Sequence, residues 1–171
     1  QARLSVPFER VASFGYSEEL YTPELVMRER LDSLAKRLHG QYRAQNGGAE
    51  WAGLSDFTRR SNLASADHLE AKVRILLKGE EFSSLTPRLC ERAYEAFLAA
   101  PPEERERFRR IEHERWARFH RLLGWEYSPV RDNALRHHPL LVPYEELTPE
   151  DRAKDDYAWH LLGAAAEEDE E

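Results

Sequence analysis

Cysteine is almost missing from this sequence: Cys90 is the only one in 171 residues. That excludes an internal disulfide and any cysteine-built zinc site, and it makes a reducing, cytoplasmic compartment the default expectation. No apolar run approaches the ~18 residues that a membrane span needs, so no transmembrane segment is expected in this stretch. Positive charge is not in excess either. The formal net charge is −7, and five of those negative charges sit in the tail Glu167, Glu168, Asp169, Glu170 and Glu171. The rest is nearly neutral, which argues against electrostatic binding to nucleic acid or to an anionic membrane. The only methionine is Met27 and the chain opens at Gln1 without a signal peptide. It reads as a piece of a longer protein.

With 41% hydrophobic and 33% charged residues, the composition is that of a charged-surface, mostly helical protein. The length suits one domain or two small packed lobes. Residues 1–21 have no period and read as a linker or irregular leading segment. Thr22-Pro23-Glu24 is a helix start, with Thr as cap, Pro at the first helical position and an acid in the first turn. Leu25, Val26, Leu31, Leu34, Ala35, Leu38 and Tyr42 follow at helical spacing, and this helix should end near Arg43, before Asn46-Gly47-Gly48. Ser55 can cap a second helix that Lys78-Gly79 closes. Thr86-Pro87 starts a third, burying Leu89, Cys90, Ala93, Phe97 and Leu98. Pro101-Pro102 breaks the chain and opens a fourth, roughly 102–123, with Phe108, Ile111, Trp116, Phe119, Leu122 and Leu123 on one face. Gly124 ends it in the left-handed conformation. Thr148-Pro149-Glu150-Asp151 opens a fifth helix that buries Tyr157, Leu161 and Leu162 and ends at Gly163. The segment 164–171 should be a disordered acidic tail.

Between Gly124 and Thr148 lies an aromatic, charged stretch without helical or strand period. Long loops in compact domains are usually functional or disordered, and this one is too rich in large apolar side chains for disorder. A repeated pattern places it. His39-x-x-Tyr42 resembles His113-x-x-Trp116, and Trp51-x-x-Leu54 before a helix resembles Tyr144-x-x-Leu147 before a helix. Between the paired motifs run 8 residues in the first unit and 27 in the second. Either two helical hairpins coincide, or the chain holds a degenerate duplication whose second copy carries an insertion. The organisation expected is a first unit over 22–100, including a connecting helix, and a second over 101–163. The fold expected is mainly α, two such hairpins packed with pseudo-two-fold symmetry.

The second unit resembles the ryanodine-receptor-type repeat, the RyR domain. The residues that carry the resemblance are His113, Trp116, Gly124, Trp125, Tyr127, Arg131, Asp132, His138, Pro139, Leu141, Val142, Pro143, Tyr144, Leu147, Lys154 and Asp155. Ser128 departs from it, since the family usually has Gly after the Tyr. The segment Trp51 to Gly79, with Arg60, Ser61, Asn62, Ala66, His68 and Lys72, resembles what precedes this repeat in bacterial RyR-domain proteins. The resemblance implies a helical module without known enzymatic activity, fused to channels, Rossmann-type NAD-binding domains or antiphage defence effectors, that senses nucleotide-like ligands.

The residues offer chemistry with a plain alternative in each case. Trp125, Tyr127 and Tyr144 either stack on a purine or staple the loop to the helices. Arg131 either pairs with Asp132 or grips a phosphate with its planar fork. Arg60 and Asn62 lie about 200° apart on a helix, so both cannot face one small target. Glu112 and His113 diverge by about 100° and cannot form a tight acid–base dyad; His113 is expected to bond a carbonyl of the loop. No His or Cys spacing specifies a metal, and no cofactor is expected. The candidate ligand site is the groove between the hairpins, lined by Arg60, Asn62, His68, Trp116, Tyr127, Arg131, Asp132, His138 and Tyr144. The leading expectation is a non-enzymatic sensor of an ADP-ribose-type signal that controls an effector or Rossmann-type domain elsewhere in the full-length protein. The alternatives are a protein-interaction module, including a homodimer through the same aromatics, and an enzyme acting on nucleotides.

Overall fold

The structure, a computed structural model, describes residues 32–167. The helix start at Thr22-Pro23 and the leading segment 1–21 lie outside these residues, as does the end of the acidic tail. The chain is mainly helical: α1 (Ser33–Asn46), α2 (Asp56–Leu76), α3 (Pro87–Ala99), α4 (Pro102–Leu122), α5 (Pro149–Lys154) and α6 (Tyr157–Ala166). Two one-turn 3-10 segments, Trp51–Gly53 and Tyr144–Glu146, precede α2 and α5. The strands β1 (Glu126–Tyr127) and β2 (His137–His138) form a parallel pair, Glu126 against His137 and Tyr127 against His138.

The caps lie where the sequence puts them. The hydroxyls of Ser55, Thr86 and Thr148 accept from the backbone N–H of Thr58, Leu89 and Asp151, so α2, α3 and α5 each begin on a satisfied donor. Gly124 ends α4 at φ 77°, and a Cβ there would stand 3.1 Å from the Arg136 guanidinium, which bonds the Leu123 carbonyl at 2.8 Å.

The core joins α2, α3 and α6 around Leu69, Val73, Phe97, Trp159 and Leu162, with Ala35 and Leu38 of α1 and Phe108 of α4 at its edges. Trp159, 0% exposed, stacks on Phe97, meets Phe108 at a tilt and donates to the Phe108 carbonyl at 3.0 Å. A smaller cluster of Ala117, Trp125 and Leu141, with Phe57 and Trp116 against it, lies under the loop.

Several expectations are corrected. The fifth helix is two helices. The turn at Asp155-Asp156 separates α5 from α6, and Arg109 fixes it by a two-pronged bond to the Asp156 carboxylate at 2.9 and 2.6 Å. Gly163 does not end α6. A Cβ on it would lie 2.7 Å from the Tyr94 ring, so this glycine permits α6 to press onto α3. Ala164–Ala166 continue the helix instead of starting a tail, and Ala165 is buried. Tyr157 is half exposed and Trp159 takes the core position. On α4, Leu122 is exposed, and the buried face is Phe108, Glu112, His113, Ala117 and His120. The helix is aimed by polar residues that an apolar count passes over.

Candidate functional site

The two hairpins, α1–α2 and α4–α5–α6, share one construction. In the first, His39 Nε2 lies 3.0 Å from the Ala49 carbonyl; in the second, His113 Nε2 lies 2.9 Å from the Val142 carbonyl. Each acceptor is two residues before the aromatic that opens the 3-10 turn, Trp51 or Tyr144. Each histidine ring then touches that aromatic, with centroids 5.9 Å apart in both pairs. A cation three residues before the histidine, Lys36 or Arg110, lies over the same aromatic at 6.0 or 5.0 Å. Leu54 and Leu147 close the two turns with matching backbone angles and matching bonds to Trp51 and Tyr144. A ring N–H that donates to a carbonyl anchors a turn, which is the role expected of His113.

A cleft of about 740 Å³ opens between the hairpins, within the ~300–1,000 Å³ common for small-molecule sites. Its lining follows the shared construction. His39 and His113, Tyr42 and Trp116, and Leu54 and Leu147 contribute from corresponding positions, as do Thr58 and Asp151, Ser61 and Lys154, and Asn62 and Asp155. The inserted loop adds Arg131, His138 and Leu140.

Beneath the second wall lies a buried charge network. Lys72 Nζ, from α2, meets Glu112 Oε2 at 2.9 Å and donates to the Ala158 carbonyl at 3.0 Å. Arg115 closes on Glu112 Oε1 through Nε at 2.9 Å and Nη2 at 2.5 Å. Burial pushes the Lys72 ammonium below its usual range, with Glu112 opposing. Burial alone would raise the Glu112 carboxyl, but Lys72 and Arg115 outweigh it and keep it ionised. Asp155 is pushed up to about 7, first by burial and then by repulsion from Glu112. Its Oδ2 is 3.9 Å from His113 Nδ1, beyond hydrogen-bond reach. His138 is pushed down to about 4 by burial and then by Arg131, so it is neutral and its Nδ1 accepts from the Leu140 N–H at 3.1 Å.

Of the residues singled out from the sequence, Asn62, Trp116, Arg131 and His138 line this cleft together. The other five do not. Arg60 is exposed, in keeping with the 200° that separates it from Asn62. His68 faces the network instead, and its pKa is lowered by burial and then by Lys72. Tyr127 is exposed on β1. Asp132 accepts from the Ala134 and Leu135 N–H at 2.8 and 3.0 Å and so shapes the loop; it makes no pair with Arg131. Tyr144 is buried between the Arg110 and Arg152 guanidiniums, about 5 Å from each. Trp125 is a clasp: it is buried against Phe57 and His120, and its backbone N–H donates to the His120 carbonyl. Among the described residues Arg131 has Asn133 as its hydrogen-bond partner, at 3.0 Å.

Sequence reasoning passed over Arg115, Lys154 and Asp155 as site residues, and Tyr42 and His39 as well. Carrying the hairpin comparison one step further, from the motif residues to their helix-face neighbours, would have found them.

Residues 103–161 match the family model described as RyR domain. The matched segment covers α4 from Glu103, the inserted loop, α5 and part of α6. No curated protein matches the chain. No helix among the described residues is long and apolar enough to cross a membrane.

Proposed function

We propose that this chain is a non-enzymatic module that binds a nucleotide-derived small molecule, of the ADP-ribose or cyclic ADP-ribose type, in the cleft between the hairpins. The observation that carries the reading is the cleft itself: it has the volume for such a ligand and joins aromatic walls, Tyr42 and Trp116, to exposed cations, Arg131 and Lys154. Stacking on an aromatic contributes ~1–3 kcal/mol per base, and a guanidinium fork suits a phosphate. Among the described residues Arg131 has no carboxylate partner to give up on binding, whereas Lys154 leaves Asp151 at 2.6 Å. Occupation of a cleft bounded by both hairpins favours their closed arrangement, and that is the signal passed to an effector, fused or recruited, as in antiphage signalling.

Calorimetric titration with a nucleotide panel tests this. The expected result is a Kd in the micromolar range or tighter that Arg131→Ala abolishes without lowering the melting temperature. Absence of heat from every nucleotide would contradict it.

A second reading draws on a different surface. Leu122, Val130, Leu135 and Tyr127 are 85%, 72%, 63% and 58% exposed around the inserted loop. Exposed apolar side chains gathered in one region favour a protein-interaction module. A ligand-independent dimer in light scattering, lost on Val130→Asp, would support that reading.

A further inference from the structure

We infer that Arg115 and Asp155 form a pair that reads the edge of the bound base, taking one hydrogen-bond acceptor beside one donor. The inference rests on the ligand-binding reading above and adds which atoms select the ligand. It starts from two orphaned atoms. Arg115 Nη1 and Asp155 Oδ2 are both buried without a hydrogen-bond partner, and both residues border the cleft. A buried polar atom left unmet costs about 1–3 kcal/mol. Two of them on one wall, one a donor and one an acceptor, form a complementary demand.

Among the described residues neither atom has a hydrogen-bond partner. Arg115 is fixed through Nε and Nη2 on Glu112, and Lys72 holds Glu112 from the other side. The fork is therefore pinned and its third nitrogen is committed in direction. Asp155 has His113 Nδ1 as its neighbour, but His113 gives its proton at Nε2 to the Val142 carbonyl. The Nδ1–Oδ2 distance of 3.9 Å is beyond hydrogen-bond reach. On the first hairpin, Asn62 stands at the position that corresponds to Asp155 and Gln41 at the position that corresponds to Arg115. The pinned ion network behind them is absent there, because Leu38 replaces Glu112. The reading pair is thus a property of the second wall.

The edge that meets both atoms is an acceptor for Arg115 Nη1 next to an N–H for Asp155 Oδ2. An amino-purine offers it as ring nitrogen and exocyclic amine, and a keto-purine as carbonyl and ring N–H. A purine with neither amine nor ring N–H leaves Asp155 unmet. Sites built around such bonds reject analogues that lack the donor far more strongly than analogues that differ in apolar bulk.

The test is calorimetry on the whole chain at pH 8, where the Asp155 carboxyl is ionised, with AMP, IMP and purine riboside 5′-monophosphate, which keeps the ring acceptors and has no donor. The expected result is that the donor-free nucleotide binds at least tenfold more weakly than the better of AMP and IMP. The AMP and IMP arms separate the amino from the keto edge. In Asp155→Ala and in Asp155→Leu the preference should fall to about onefold, with stacking affinity retained. Equal binding of the donor-free nucleotide to wild type would overturn the pair and leave the cleft reading standing. A preference that survives in either variant would also overturn it. If both variants fail to fold, the wild-type ratio decides. Failure of all three nucleotides to bind would overturn the pair together with the cleft reading.

Discussion

Thr58, Ser61 and Asn62 line one side of the cleft; Asp151, Lys154 and Asp155 occupy the corresponding positions on the other. The two sides use the same histidine-to-carbonyl anchor, the same 3-10 turn and the same capped helix start, yet one wall is neutral and the other charged. The divergence continues beneath the walls. Leu38 and Ala165 stand in the apolar core at the places that Glu112 and Lys72 take on the other side. One hairpin is thus docked by burial of apolar surface and the other by a buried ion pair. The lesson is that one frame can carry an apolar contact on one side and a set of polar and charged groups on the other. The inserted loop, which only the second copy carries, adds Arg131 and His138 to that same wall.

The sharpest way to break this comparison is to remove the ion pair that replaces the apolar contact. Lys72→Met leaves the Glu112 carboxylate buried without its ammonium partner, and loss of one member of a buried pair costs about 3–5 kcal/mol. Chemical denaturation should report a loss of that size. A change below ~1 kcal/mol would mean that Lys72 is not paired in solution.

A smaller effect separates the two anchors. His113 is buried and His39 partly exposed, though each bonds a carbonyl at nearly the same distance. His113→Ala strands the Val142 carbonyl in the interior and should cost about 2–3 kcal/mol, whereas at His39 water can replace the ring and the cost should be about 0.5 kcal/mol. Equal losses would show that the frame, and not its burial, sets the energy.

The smallest effect is a pH dependence. The Asp155 carboxyl stands at about 7 in the fold against the ordinary 3.8, so between about pH 4 and 7 the folded chain holds a proton that the unfolded chain has released. This group therefore makes stability fall as pH rises through that window and adds nothing to the slope above it. Asp155→Asn should abolish that fall and gain on the order of 1–2 kcal/mol over wild type at pH 8, with no gain at pH 4. His138 titrates in the opposite sense over about pH 4 to 6.5, so the wild-type-minus-variant difference is the quantity to read.

Much of this frame is legible in the sequence because it rests on local chemistry. Thr86-Pro87, Thr148-Pro149 and Gly124 mark helix ends by capping and left-handed geometry alone, and all three positions behave accordingly. The paired aromatic-x-x-Leu motifs expose the two turns for the same reason. What is not legible depends on contacts far apart in the chain. Gly163 looks like a helix stop until Tyr94 is seen against it. Tyr144 and Tyr127 look like equal stacking candidates, but only the fold tells that one is wedged between Arg110 and Arg152 and the other is exposed. The hairpin comparison can point to the positions of Arg115 and Asp155, but the buried Lys72–Glu112 pair beside them is set by contacts between two helices.

The central claim is that a nucleotide-derived ligand binds between the two hairpins. Its most direct test is the calorimetric titration run with one variant from each wall, Tyr42→Ala on α1 and Trp116→Ala on α4. The account predicts that both weaken binding at least tenfold at a temperature where each variant is folded, with little change in melting temperature for Tyr42→Ala and a lower one for Trp116→Ala, whose ring also packs on His120 and the cluster under the loop. Binding that is lost in Trp116→Ala and untouched in Tyr42→Ala would place the ligand on the second hairpin alone and contradict it.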